Sequence, residues 1–105
     1  MNRPGIPDVR LTKAMILVLE TLLAMPDRGR VWGLAICRSA DLEPSTVYPI
    51  LARLRERSWV SVEEETDGDL GRPARRLYRL TPDGRRKAMG ALLERRTRLN
   101  RDGIS

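Results

Sequence analysis

The side chains with the clearest chemistry in this sequence are hydroxyls and guanidiniums, and they fall in two short segments. The first segment holds Ser45, Thr46 and Tyr48, followed by Pro49 and, about one helical turn later, by Arg53. Short hydroxyls can hydrogen bond to phosphate oxygens or to base edges, and arginine can bind a phosphate or a guanine through two parallel hydrogen bonds. This segment therefore has side chains suited to contacting a nucleic acid.

The second segment is a cluster of three arginines, Arg72, Arg75 and Arg76, close to Gly68 and Gly71. A flexible tip that carries clustered arginines suits a phosphate backbone or a narrow minor groove. Five acidic residues come just before the cluster: Glu63, Glu64, Glu65, Asp67 and Asp69. They would repel DNA unless their strand points away or they pair with the arginines, so a solvated hairpin is the alternative interpretation.

Catalytic and metal chemistry have little support in this sequence. The chain has no histidine and a single cysteine, Cys37, which excludes histidine-based triads, cysteine-rich metal sites and an intrachain disulfide. Cys37 stands among apolar residues and is predicted to be a small core residue. No paired carboxylates lie in an apolar context, and no glycine-rich phosphate loop follows a strand. We predict a protein that is not an enzyme, with no catalytic residues, cofactor or metal.

Length and charge agree with a small basic domain. The chain has 105 residues, and 20 Lys and Arg against 14 Asp and Glu give a net charge of +6. A basic domain of this size often binds nucleic acid, although a solvated basic surface is the alternative. The apolar run at residues 14–19 is interrupted by Glu20, so we expect neither a signal peptide nor a membrane span, and we expect a cytoplasmic protein.

Hydrophobic periodicity predicts four helices and a β-hairpin. The predicted helices cover residues 11–25, 31–39, 44–57 and 82–99, and the predicted strands cover residues 59–65 and 74–80. The second and third helices, joined by the short turn 40–43, form a helix-turn-helix candidate. The predicted fold is mainly α with a β-hairpin wing, a winged helix-turn-helix plus a C-terminal dimerisation helix. We assign residues 1–10 to an N-terminal arm, 11–80 to the winged-helix domain and 81–105 to the dimerisation helix and tail.

The third predicted helix has a core face and an exposed face. Val47, Ile50, Leu51 and Leu54 recur at helical spacing, so they are predicted to face the core, which leaves the hydroxyl segment facing out. Pro49 removes one amide hydrogen bond inside this helix, a defect that typically costs about 3 kcal/mol. We interpret this proline as shaping the exposed start of a recognition helix. In the alternative, the hydroxyls only start the helix and the tyrosine packs sideways.

The first and last predicted helices carry more apolar surface than one small domain can cover, which predicts a homodimer. The first helix is apolar on two adjoining stripes, and the last helix is long and follows a compact hairpin. The predicted interface residues are Leu11, Met15, Leu22, Met89, Leu92, Leu93 and Leu99. The alternative is a last helix folded back on its own domain.

Four segments of the sequence resemble the PadR family of transcriptional regulators over about residues 11–95. They are residues 32–37 (WGLAIC), 45–54 (STVYPILARL), 71–73 (GRP) and 75–84 (RRLYRLTPDG). Trp32 stands where the family usually has tyrosine. The resemblance implies a winged helix with a C-terminal dimerisation helix, and repression by operator binding that a small ligand sometimes releases. It places Ser45, Thr46 and Tyr48 at the DNA-contacting helix start and Arg72, Arg75 and Arg76 in the basic wing.

The residues and the resemblance together predict a sequence-specific regulator of transcription. We expect a repressor that binds double-stranded DNA as a homodimer on a palindromic operator. A single C-terminal helix resembles the short family members that lack a larger effector domain, which weakens the case for a small-molecule inducer. The alternative hypothesis is a winged helix that serves as a protein-interaction or accessory module of phage or plasmid origin.

Overall fold

Four helices and a small antiparallel sheet make up the part of the protein that the computed structural model describes, which is residues 10–25, 31–65 and 75–103. The elements in chain order are α1 (Lys13–Ala24), β1 (Val31–Trp32), α2 (Gly33–Ala40), α3 (Pro44–Glu56), β2 (Val60–Glu65), β3 (Arg75–Leu80) and α4 (Pro82–Gly103). The three strands pair in the order β1-β3-β2. The predicted winged helix-turn-helix followed by a further helix is confirmed.

The sequence prediction was wrong at Val31 and Trp32, which form β1 instead of the first turn of α2. In the antiparallel pairing with β3, Val31 lies opposite Tyr78 and Trp32 lies opposite Leu77. β-branched and aromatic side chains favour a strand when a sheet edge is available to pair with. The pairing ties the start of α2 directly to the wing.

α1 begins two residues later than its pattern predicts because Thr12 caps it. The Thr12 hydroxyl accepts a hydrogen bond from the Met15 backbone nitrogen at 3.1 Å. Met15 and Leu22 are only 1% and 2% exposed, and both belong to the core of their own protomer. The prediction that they lie in a dimer interface does not agree with this burial, because a partner subunit could not reach either side chain without opening the core.

The Thr81 hydroxyl links the turn after α3 to the start of α4, because it accepts one hydrogen bond and donates another. Its oxygen accepts a hydrogen bond from the Gly84 backbone nitrogen at 2.8 Å and so caps α4. The same hydroxyl donates to the Ser58 carbonyl at 2.8 Å. Ser58 has a φ of 62° and ends the turn after α3, so this bond holds a left-handed residue in place.

α4 also secures the end of α1. The Arg85 guanidinium donates a hydrogen bond to the Met25 carbonyl at 3.2 Å, just beyond the last turn of α1. A cation at a helix C-terminus satisfies free carbonyls and offsets the negative end of the helix dipole. Ala88 and Ala91 are buried, whereas from Leu93 onward the described side chains of α4 are exposed except for the half-buried Arg95. Only the first half of this long helix therefore packs on its own domain.

Candidate nucleic-acid interface

α3 has the buried and exposed faces that its periodicity predicts. Val47, Leu51 and Leu54 are at most 1% exposed, and Ile50 is 8% exposed. Pro44 occupies the first turn, where its missing N–H leaves no bond unmade, and the Thr46 and Val47 nitrogens donate to the Glu43 carbonyl. The helix is thus fixed to the core along one side and free along the other.

The exposed side of α3 carries the predicted contact residues. Ser45, Thr46, Tyr48, Pro49 and Arg53 are all exposed. Pro49 lies inside the helix, so the Ser45 carbonyl has no amide partner four residues ahead of it. The first turn contains no acidic side chain, so the positive end of the helix dipole is not neutralised within that turn. The exposed carboxylate of Glu43, the residue just before the helix, lies next to this end and opposes an approaching anion.

A tight turn sets the angle between α2 and α3. Asp41 adopts the left-handed conformation with φ 56° and ψ 48°, which aspartate tolerates better than most residues. The Leu42 nitrogen donates to the Cys37 carbonyl at 3.0 Å and closes the end of α2. Burial raises the pKa of the Cys37 thiol, and the side chain is 5% exposed, as predicted for a core cysteine.

The Tyr48 side chain is partly exposed, as a DNA-contacting residue would be, and its ring also packs sideways, as in the alternative interpretation. Its ring lies against Gly33, the first residue of α2, where an added Cβ would come within 2.6 Å of the Tyr48 hydroxyl and 2.7 Å of its Cε1. Burial raises the pKa of the Tyr48 phenol, as do the neighbouring Cys37 and Tyr78. The hydroxyl therefore stays protonated at neutral pH and can donate a hydrogen bond.

The wing brings one predicted arginine into the described part of the site. Arg76 is exposed and lies opposite Glu64, so the two side chains point to the same face of the hairpin. Arg75 lies opposite Glu65 in the strand pairing, but its side chain is outside the described residues, and the whole of Arg72 is too. The predicted role of the wing tip therefore stays a prediction.

A cleft of about 450 Å³ separates α3 from the hairpin. Its lining consists of Tyr48, Leu51, Ala52, Arg55, Glu56, Val62, Arg76 and Tyr78. Sequence reasoning missed Arg55, although its spacing of three and seven residues from Ala52 and Tyr48 puts all three on one stripe of the helix. What the sequence could not show is that this stripe faces the wing.

A second, more apolar groove of about 630 Å³ lies between α1 and α4. Three predicted interface residues line it and are well exposed, with Met89 at 56%, Leu93 at 64% and Leu99 at 50%. Leu92 also lines the groove but is partly buried against the core. Leu11, two residues before α1, is partly buried against the core as well and does not line the groove. Exposed apolar side chains in such a row are unusual for a monomer.

Within residues 10–25, 31–65 and 75–103, no helix is both long and apolar enough to span a bilayer. Within the same ranges, no three acidic or cysteine side chains come together in a way that could hold a metal ion.

The family model for the transcriptional regulator PadR-like family matches residues 23–89, which run from the end of α1 into α4. This range includes α2, α3 and the hairpin, and so both sides of the cleft. No curated protein matches the sequence at a significant level.

Solved structures of transcriptional regulators are similar to this chain. BpsR of Bordetella bronchiseptica, whose DNA binding is regulated by 6-hydroxynicotinic acid, is 27% identical, with a TM-score of 0.66 over 98% of this chain and 74% of that one. A PadR-family transcriptional regulator of Eggerthella lenta is 29% identical, with a TM-score of 0.62 over 85% and 75%. PcaV of Streptomyces coelicolor, solved with its natural ligand, is 22% identical with a TM-score of 0.64 over 90% and 64%, and it shares the fold alone.

Proposed function

The chain belongs to the transcriptional regulator PadR-like family of DNA-binding proteins, and from this premise we propose that it represses transcription as a homodimer on a palindromic operator. The observation that carries the proposal is the start of α3, where Ser45, Thr46 and Tyr48 are exposed on a helix whose other face is fixed in the core. Such a helix can enter the major groove, where each base pair shows a distinct pattern of donors and acceptors.

Electrostatics support DNA as the partner over a protein. The net charge of the chain is +6. Arginines lie near the exposed hydroxyls of α3, both on α3 itself and on the wing. Arg53 lies on the same exposed side of α3, and Arg76 lies across the cleft. Hydroxyls can read base edges, while arginines neutralise phosphates and position the helix. A protein-interaction module would have no need for this arrangement.

The proposed homodimer uses the groove between α1 and α4. A two-fold axis would bring Met89, Leu93 and Leu99 of one protomer against the same residues of its partner, because a two-fold interface is self-complementary. Glu20 and Arg95 also line the groove and provide charges of opposite sign that could pair across the axis. Two recognition helices placed about 34–36 Å apart would then meet successive major grooves on one side of the duplex.

Binding should be sequence-specific. We expect a duplex selected from genomic fragments to bind roughly a thousandfold more tightly than a random duplex of equal length at physiological salt. Fluorescence anisotropy on both duplexes measures this ratio, and placing the selected site over a promoter in a transcription assay tests repression.

Thr46→Ala and Tyr48→Phe should each lower the ratio of specific to random affinity without changing the unfolding temperature. Equal binding to all duplexes would remove the basis for a repressor.

Gly33→Ala should weaken operator binding through Tyr48. The new methyl group would overlap the Tyr48 ring, and the ring can rotate away because it is the free end of a side chain. We expect an affinity loss similar to that of Tyr48→Ala, with little change in the unfolding temperature. In the double variant Gly33→Ala with Tyr48→Ala, the two losses should not add, because both act on one contact. Additive losses would show that Gly33 acts independently of the tyrosine.

A further inference from the structure

We propose that Thr81 is a positioning residue for operator binding, because it fixes α4 to the end of α3 and so sets the distance between the two copies of α3 in the dimer. The inference rests on the proposed homodimer and adds to it the residue that determines the spacing of the two half-sites. A second tie, the hydrogen bond from Arg85 to the Met25 carbonyl after α1, holds α4 at the same angle.

The C-terminal cap of α3 is hydrogen bonded to the N-terminal cap of α4. α3 ends in a Schellman motif, in which the Trp59 nitrogen donates to the Leu54 carbonyl at 2.9 Å. The Ser58 nitrogen donates to the Arg55 carbonyl at 3.0 Å and completes the motif. The Thr81 hydroxyl, which caps α4, donates to the Ser58 carbonyl at 2.8 Å. The Thr81 nitrogen donates to the Trp59 carbonyl at 2.9 Å, so two bonds join the caps directly.

Beyond its first turn, α4 has few side chains that could fix its direction. In the described part of the helix, the buried side chains there are those of Ala88 and Ala91, and Leu92 is partly buried. An alanine methyl group is too short to interlock with a neighbouring helix in one orientation only. The angle of α4 against its own domain therefore depends on the polar ties at Thr81 and Arg85.

α4 is long enough to turn a small change at its start into a shift of about one base pair. Its 22 residues span about 33 Å at 1.5 Å per residue. A tilt of about 5° at the first turn would move the far end by about 3 Å, close to the rise of about 3.4 Å per base pair. Met89, Leu93 and Leu99, the exposed residues of the proposed interface, lie beyond the first turn. A loose first turn would therefore let each α3 vary its distance from the two-fold axis.

The test measures the affinity of the full chain for duplexes that carry two selected half-sites at separations from two base pairs below the optimum to two above it. The unaltered protein should lose about tenfold in affinity per base pair away from the optimum, because each step shifts a half-site by about 3.4 Å and rotates it by about 35°. Thr81→Val keeps the shape of the side chain without its hydroxyl. It should bind the optimal duplex about tenfold more weakly and lose only about twofold per base pair, since the two copies of α3 are no longer preorganised.

Thr81→Ser should restore the steep dependence on separation, because it restores the hydroxyl. Arg85→Met keeps a long side chain without its donors, and it should flatten the dependence as Thr81→Val does. Arg85→Met also tests the angle of α4 without removing a helix cap, and sedimentation and unfolding curves show that each variant is folded and dimeric in the assay. Thr97→Val and Arg86→Met are the matched controls, because both residues are exposed on α4 and neither ties it to α1 or α3. Both controls should keep the steep dependence.

A duplex with a single half-site distinguishes placement of α3 from support of its fold. Thr81→Val and Arg85→Met should bind it as tightly as the unaltered protein does, because the exposed face of α3 is unchanged. Equal losses on the single half-site and on the full operator would overturn the inference, as would a dependence on separation as steep as that of the controls. If the unaltered protein shows no preferred separation, the proposed homodimer on a palindromic operator is itself wrong, and the inference is wrong with it.

Discussion

Gly84→Ala is expected to destabilise the protein by about 3 kcal/mol, a large share of the roughly 5–15 kcal/mol by which domains of this size are stable. A Cβ at Gly84 would overlap the Trp59 carbonyl oxygen and lie within 2.6 Å of the Trp59 Cα and carbonyl carbon. These are backbone atoms, so no side chain can rotate away to make room. Relief requires the start of α4 to move away from Trp59, which would break the hydrogen bonds from the Thr81 nitrogen to the Trp59 carbonyl and from the Thr81 hydroxyl to the Ser58 carbonyl. Urea denaturation followed by circular dichroism and tryptophan fluorescence measures the loss.

Gly90→Ala is the control for this prediction, because it makes the same substitution in the same helix. No atom lies within 4 Å of a Cβ at Gly90 among the described residues. Alanine is the better helix former there, so we expect Gly90→Ala to stabilise the protomer by about 0.5–1 kcal/mol. Gly90 lines the groove proposed for the dimer, so sedimentation checks that the variant keeps its oligomeric state. Equal urea midpoints for the two variants would contradict the close packing of α4 on Trp59.

The sequence predicts those parts of the fold that depend on neighbouring residues. The two faces of α3 follow from residues three and four positions apart, and the start of α4 follows from the adjacent Thr81 and Pro82. β1 could not be predicted in this way, because its partners Leu77 and Tyr78 are more than 40 residues further along the chain. A two-residue strand has no periodicity of its own, and only its pairing defines it.

The candidate site likewise has some features that neighbouring residues predict and others that depend on contacts between distant elements. The exposed hydroxyls of α3 could be predicted, since their exposure follows from the buried face of the same helix. The contact of Tyr48 with Gly33 and the place of Arg55 in the cleft depend on how α3 meets α2 and the sheet, which no local pattern specifies. The apolar stripes of α1 likewise cannot distinguish a protomer's own core from a partner. For that reason Met15 and Leu22 were assigned to an interface although they are buried in the protomer.

Met89→Asp combined with Leu93→Asp should convert the protein to monomers and lower its affinity for the full operator by about a hundredfold or more. Both side chains are more than half exposed and line the groove between α1 and α4. In a two-fold dimer, each charge would be buried close to its own copy without a counter-ion, which is strongly unfavourable. Sedimentation at micromolar concentration should give twice the 12.0 kDa chain mass for the unaltered protein and the chain mass for the variant.

Two controls separate the interface from the core and from the general effect of new charge. Leu34→Asp introduces an acid at a leucine that is 56% exposed on α2, so it should leave the dimer intact. Leu22→Ala should lower the unfolding free energy by about 2–5 kcal/mol through a core cavity while the folded fraction stays dimeric. The double aspartate variant should still bind a half-site weakly, because α3 and the wing are unchanged. An unaltered protein that stays monomeric both free and on DNA would refute the dimer, and the operator would then be read by a single α3 without two-fold symmetry.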